Sequence, residues 1–238
     1  MRASIARERP AWIPAHINAN WDADPYAYQT EEEMMPGGIV HGDGMLGFGN
    51  LLKKVLKDSD FQLLFDCFMM YRGKDGVRRR IGPDILLIPA QEEYQMGSSY
   101  DSETQPIPVC AFELVSPDGD QKDKKSMRLY LEHLKIPTCI LIYLVKDDGK
   151  KLPKARIAGW RRNPETGRAD KVRPDAKGRI LIPELQIWVG VEGQTVYVQN
   201  QMTGEVVYDD DTERLMRQAA EDENQKLREL LRQHGISL

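Results

Sequence analysis

The run Thr138–Val145, TCILIYLV, is apolar without a break. A strand with one wet face would carry polar residues at alternate positions. This one is therefore expected at the centre of a sheet, covered on both faces. A second apolar run, Val109–Val115 (VCAFELV), precedes it and stops at Ser116-Pro117. Between the two, Met127, Leu131 and Leu134 recur at helical spacing, which predicts a helix over Lys122–Leu134. Strand, helix, strand with a crossover of this length suits a parallel pair.

Two further runs precede that unit. Phe61–Tyr71 (FQLLFDCFMMY) reads as one strand, and Gly73 to Gly76 as a turn. Asp84–Ile88 (DILLI) is a strand closed by Pro89, and residues 90–108 form a polar loop. Upstream, Met45, Phe48, Leu52 and Val55–Leu56 fall at helical spacing, with Asp43 placed to cap that helix. Gly44, Gly47 and Gly49 weaken its first turns or let it pack closely on something. The fold class is α/β, a mixed sheet flanked by helices.

The ends differ in character from this core. Residues 1–29 carry Pro10, Pro14 and Pro25 with Trp12 and Trp21 and little periodicity, an extended arm. Thr30-Glu31-Glu32-Glu33 fits a capping box. The core is expected over 30–146. After Lys146 turn signals recur, with short alternating runs at Arg179–Ile182, Ile187–Val191, Thr195–Val198 and Glu205–Tyr208. That pattern predicts a β-hairpin extension over 147–211. Residues 212–238 hold a charged helix with a sparse apolar face, Leu215, Ala219, Leu227 and Leu230–Leu231. Such a helix is expected to project or to pair, as in a homodimer, rather than to sit in the core.

Composition limits the function classes. At 238 residues and 41% hydrophobic, the chain has enough apolar material for a core, which excludes a wholly disordered protein. No apolar run approaches the ~20 residues of a membrane helix. The start, MRASIARERPAWIP, does not resemble a secretory signal. Cys67, Cys110 and Cys139 lie far apart in apolar runs, so buried thiols in a reducing, cytoplasmic setting are expected rather than disulfides or a zinc site. The net charge of −4 hides a segregation. Lys150 to Arg179 holds eleven Lys/Arg against three acids, and Tyr71–Arg80 adds Arg72, Lys74, Arg78, Arg79 and Arg80 against Asp75. A polyanion partner is allowed on part of the surface.

Two acids have unusual neighbours. Asp84 opens an apolar strand after Pro83, and Glu113 lies within one, between Phe112 and Leu114. An acid in such a place points out of the core or is held by a partner or a metal. Lys122, Lys124 and Lys125 follow. Two carboxylates and a lysine are the minimum set for metal-assisted phosphodiester hydrolysis. The same residues also suit a plain strand-end ion pair.

The order Pro83-Asp84-Ile85-Leu86-Leu87, then Phe112-Glu113-Leu114-Val115-Ser116-Pro117, a charged helix, and Ile136-Pro137 before an apolar strand resembles the Uma-two family. That family of restriction-endonuclease-like proteins falls in the PD-(D/E)XK nuclease superfamily. His41-Gly42-Asp43, Pro183-Glu184-Leu185 and the ending Leu230-Leu231-Arg232-Gln233-His234-Gly235-Ile236 also look like the family. The likeness runs from about residue 26 to the end. It implies a restriction-endonuclease-like sheet, DNA as partner, and Mg²⁺ or Mn²⁺ held by Asp84 and Glu113. The superfamily's own lysine position is Val115. The family's helix lysine, counted from Ser116, falls on Met127, and its tyrosine on Leu131 with Tyr130 beside it. Lys124 shares the face of Met127, and Lys125 serves if the helix is shifted by one residue. The alternative is a site without its lysine, in a non-catalytic nucleic-acid-binding or assembly module. Arg78, Arg79 and Arg80 are candidates for the DNA backbone, with a solvated turn as the plain alternative. His41 and Glu31, Glu32 or Glu33 are weaker candidates near the metal, each with a plain structural alternative.

Overall fold

The computed structural model describes residues 39–90, 99–115, 125–143, 155–193 and 195–233. The extended arm, the capping box with Glu31 to Glu33, Lys124 and His234 lie outside them. The side chains of His41 and Asp43 are likewise not described.

Among the described residues the first helix is Ile39–Val55. It begins four residues before Asp43, directly after Pro36-Gly37-Gly38, so Asp43 is an interior residue and not its cap. Packing explains why the glycines do not delay it: Phe48, Leu51 and Leu52 are buried against the sheet, and tertiary burial outweighs propensity. The glycines divide by environment. A Cβ on Gly49 would lie 2.2 Å from Cε1 of Phe65, whereas one on Gly47 would meet nothing within 4 Å. Gly47→Ala should therefore raise stability by about 0.5–1 kcal/mol and Gly49→Ala lower it by roughly 1–3 kcal/mol. Paired urea titrations check both signs.

Thirteen strands follow among the described residues. β1 (Phe61–Phe65), β2 (Phe68–Arg72), β3 (Arg78–Ile81), β4 (Ile85–Pro89), β5 (Ser99–Asp101), β6 (Cys110–Val115) and β7 (Thr138–Tyr143) precede β8 (Arg156–Arg162) and β9 (Ala169–Val172). β10 (Ile180–Ile182), β11 (Ile187–Glu192), β12 (Thr195–Asn200) and β13 (Val206–Val207) come last. The main sheet has the order β1-β4-β6-β7-β8-β9. Within it β6 and β7 are parallel and the other pairs antiparallel, as the crossover requires. β7 is flanked by β6 and β8, which accounts for its unbroken apolar run.

Each face of this sheet has its own core. On one face Ile85, Leu87, Phe112 and Ile140 meet the first helix and Ile180, Ile182, Val189 and Val198 of the β10-β11-β12-β13 sheet. On the other, Leu86, Ile88, Ala111, Val115 and Leu141 meet Met127, Tyr130 and Leu131, together with Met69, Tyr71 and Tyr100 of the β3-β2-β5 sheet. The fold is thus a mixed α/β arrangement with a C-terminal hairpin region and a charged last helix, Asp210–Gln233.

Three expectations need correction. Phe61–Tyr71 is two strands in two sheets, because Asp66 takes φ 46° and redirects the chain. A short polar side chain tolerates that left-handed conformation better than the apolar residues around it. The loop over 90–108 contains β5, which adds in parallel to β2. Arg78 to Arg80 belong to a strand, β3, and not to a solvated turn. All three cysteines are buried and none is in a disulfide. Among the described residues no helix is long and apolar enough to cross a membrane.

Candidate active site

Strand alternation sets the direction of each acid. On β6, Phe112 and Leu114 face the first helix, so Glu113 faces the opposite core, with Ala111 and Val115. The β4–β6 ladder pairs Ile85 with Phe112, and one step further the same register brings Asp84 opposite Glu113. The two carboxylates named from the sequence are therefore neighbours at one end of a strand pair.

Both are anchored. The backbone N–H of Leu114 donates to Asp84 Oδ2 at 2.6 Å, and the Tyr130 hydroxyl donates to Glu113 Oε1 at 2.5 Å. Asp84 is half-buried, and Glu113 is only 6% exposed. The backbone of Asp84 is tied as well, since the N–H of Asp66 donates to its carbonyl at 3.0 Å.

Tyr130 is the site residue that sequence reasoning noted only as a neighbour of Leu131. It is fully buried, in a π-helical turn, Leu129–His133, that follows a helical turn at 125–128. The N–H of Leu134 donates to the Leu129 carbonyl, which widens the helix there. Such widened turns recur at functional sites. Burial, followed by the negative charge of Glu113, pushes the Tyr130 phenol well above its ordinary range, and Asp84 adds to the shift. Tyr130 is therefore a neutral donor that holds Glu113 in one orientation.

A pH dependence follows. A phenol whose folded pKa is raised contributes stability in full below the unfolded value of about 10 and loses it as pH rises further. Tyr130→Phe should cost about 1–3 kcal/mol at neutral pH, since a buried acceptor loses its donor. Above about pH 10 the gap to the wild type should narrow. Thermal melts of both proteins across pH 7–11 read this out.

Met127 is 4% exposed and packs in the core beside Tyr130 and Leu131, so the position where the resemblance places a lysine is an apolar packing position. Lys125 is exposed at the start of the described helix.

The arginines proposed for the DNA backbone each have a protein partner. Arg78 pairs with Asp101 at 2.5 Å, Arg79 forks onto Asp75, and Arg80 stacks over Phe68 at 4.5 Å. The Arg79 guanidinium, by its hydrogen bonds, holds the Asp75 carboxyl down at about 2. Behind this strand lies an open cleft of about 390 Å³ between the β2–β3 turn and the π-helix. Lys74, Arg79, Arg128 and His133 line it, with Glu132 the one acid. The His133 ring packs edge-on against Tyr71 and its Nε2–H donates to the Arg72 carbonyl at 2.7 Å. Arg128 had no signal in the sequence beyond its charge.

Two carboxylates at a strand end form a hard oxygen donor set. It fits Mg²⁺ or Mn²⁺, ions that keep several waters and take few protein ligands. Among the described residues no third His, Cys, Asp or Glu completes a cluster with them.

No protein-family model matches the chain, and no curated protein matches it. Among solved structures it is similar to one from Anabaena variabilis described as "a putative nuclease belonging to DUF820". The identity is 18% and the TM-score 0.43, over 63% of this chain and 75% of that one.

Proposed function

We propose that the chain is a divalent-metal-dependent DNA endonuclease of the restriction-endonuclease-like type, with Asp84 and Glu113 as metal ligands. The observation that carries this reading is the meeting of the two acids across the β4–β6 register, one of them buried and oriented by Tyr130. Bound there, Mg²⁺ or Mn²⁺ would acidify a water and neutralise charge on the phosphate under attack. Asp84 and Glu113 hold the position, and Tyr130 keeps Glu113 from rotating away. Lys124 or Lys125 orients the attacking water. Lys74 and Arg128 in the cleft, more than the paired Arg78 to Arg80, receive the nucleic-acid backbone. The buried thiols suit a cytoplasmic setting.

The burial of Met127 favours a second reading, a nuclease fold that binds nucleic acid or assembles without cutting it. One experiment separates the two. Supercoiled DNA is incubated with Mn²⁺, and duplex binding is measured against salt. The first reading expects nicking that chelator stops, and a salt slope that falls by about 1 in each of Lys74→Ala and Arg128→Ala. Binding without nicking supports the second reading. Absence of both binding and nicking overturns the first reading and the nucleic-acid-binding form of the second.

A further inference from the structure

Arg72 pairs with Glu103, Arg78 with Asp101, Arg79 with Asp75 and Arg179 with Asp175. Arg156, the first residue of β8, is exposed and has no carboxylate partner among the described residues. Its guanidinium lies over the ring of Tyr143 instead, 4.0 Å from the centroid. Stacking fixes a guanidinium in place without consuming its N–H donors.

The sheet register sets where those donors are. Val115 of β6 pairs with Tyr143 of β7, and Tyr143 pairs with Arg156 of β8. Tyr143 packs on the same core as Val115 and Leu141, so Tyr143 and Arg156 share the face of Glu113. Glu113 itself pairs with Leu141, two residues before Tyr143. Tyr143 is thus one strand across and two residues along from Glu113, on the order of 8 Å between Cα atoms. It lies toward the end of the sheet where Asp84 meets Glu113. Arg156 stands one strand further out and reaches back over Tyr143, toward the acids. No ion pair spends its charge, so its donors are left for an anion that comes from solution.

We propose that Arg156, stacked on Tyr143, binds a phosphate of the nucleic acid beside Asp84 and Glu113. Its place next to a reacting phosphate rests on the nuclease reading; the contact itself can be tested without it. Arg156 is the fixed positive charge that Val115 and Met127 do not supply. A guanidinium stays protonated at every working pH and takes two phosphate oxygens at once. Tyr143 is a positioning residue, which acts through Arg156 by holding the guanidinium.

The test is metal-free binding of a fluorescein-labelled DNA duplex to the full chain, followed by anisotropy against salt. Arg156→Gln should weaken binding several-fold and lower the salt slope by about 1. Arg156 is exposed, so the variant should keep the wild-type circular dichroism. Arg156→Lys should keep the slope and recover part of the affinity, because an ammonium does not fork onto phosphate. Tyr143→Leu should weaken binding less than Arg156→Gln does, and add nothing in that background. Glu113→Gln locates the arginine. It removes a charge that repels the phosphate, so it should tighten metal-free binding, and that gain should vanish in the Arg156→Gln background. An unchanged slope in Arg156→Gln overturns the proposal. So does an equal gain from Glu113→Gln with and without the arginine, or a wild type that binds no duplex. A wild type that binds duplex through Arg156 but takes up no Mn²⁺ in calorimetry overturns the nuclease reading and leaves the phosphate contact standing.

Discussion

Glu113→Ala should abolish calorimetric Mn²⁺ binding and lower any DNA cleavage by on the order of 10³-fold, beyond the 10–100-fold usual for a residue that only supports a ligand. The reason is the small donor set. With two carboxylates on a hard cation, loss of one removes half of the protein's negative charge at the ion. The fold should survive the change. Removing a buried carboxylate relieves desolvation, while Tyr130 is left without its acceptor at a cost of about 1–3 kcal/mol. Circular dichroism separates a lost ligand from a lost fold. Mn²⁺ binding that persists in the variant would take Glu113 off the metal. Absence of binding in the wild type would move the weight to a non-catalytic protein.

The largest effect on stability is expected one residue earlier. Phe112 is fully buried, and its ring meets that of Phe48 edge-on, with centroids 5.2 Å apart. It joins the first helix to the central sheet. Phe112→Ala opens a cavity between them and should cost about 3–5 kcal/mol. For a chain of this length that lowers the melting temperature by on the order of 10 °C. A loss under about 1 kcal/mol would mean that the helix settles into the space and that Phe48 refills it. The two predictions concern adjacent residues on opposite faces of β6, so the chemistry and the packing can be perturbed separately.

The sheet and both acids were legible in the sequence because they depend on local pattern. The unbroken TCILIYLV run, the crossover length and the alternation around Glu113 are properties of short windows. So are the hairpins after residue 155, whose turns and alternating runs recur as β10 to β13. Other features were hidden because they depend on contacts between distant residues. Arg78 to Arg80 look like a basic turn until Asp75, Asp101 and Phe68 are brought against them. Gly49 and Gly47 are alike in sequence, and only Phe65 distinguishes them.

The sequence by itself determined the α/β class, the central strand, the buried thiols and the pair Asp84 and Glu113, since burial on a strand follows from the order of apolar and polar residues. Only the tertiary structure decided that Phe61–Tyr71 divides between two sheets, that Met127 is a packing residue, and that Tyr130 holds Glu113. Those outcomes turn on one backbone dihedral at Asp66 and one widened helical turn at Leu129–His133. Each is stabilised by long-range packing and not by the residues' own preferences, and so leaves no trace in local pattern.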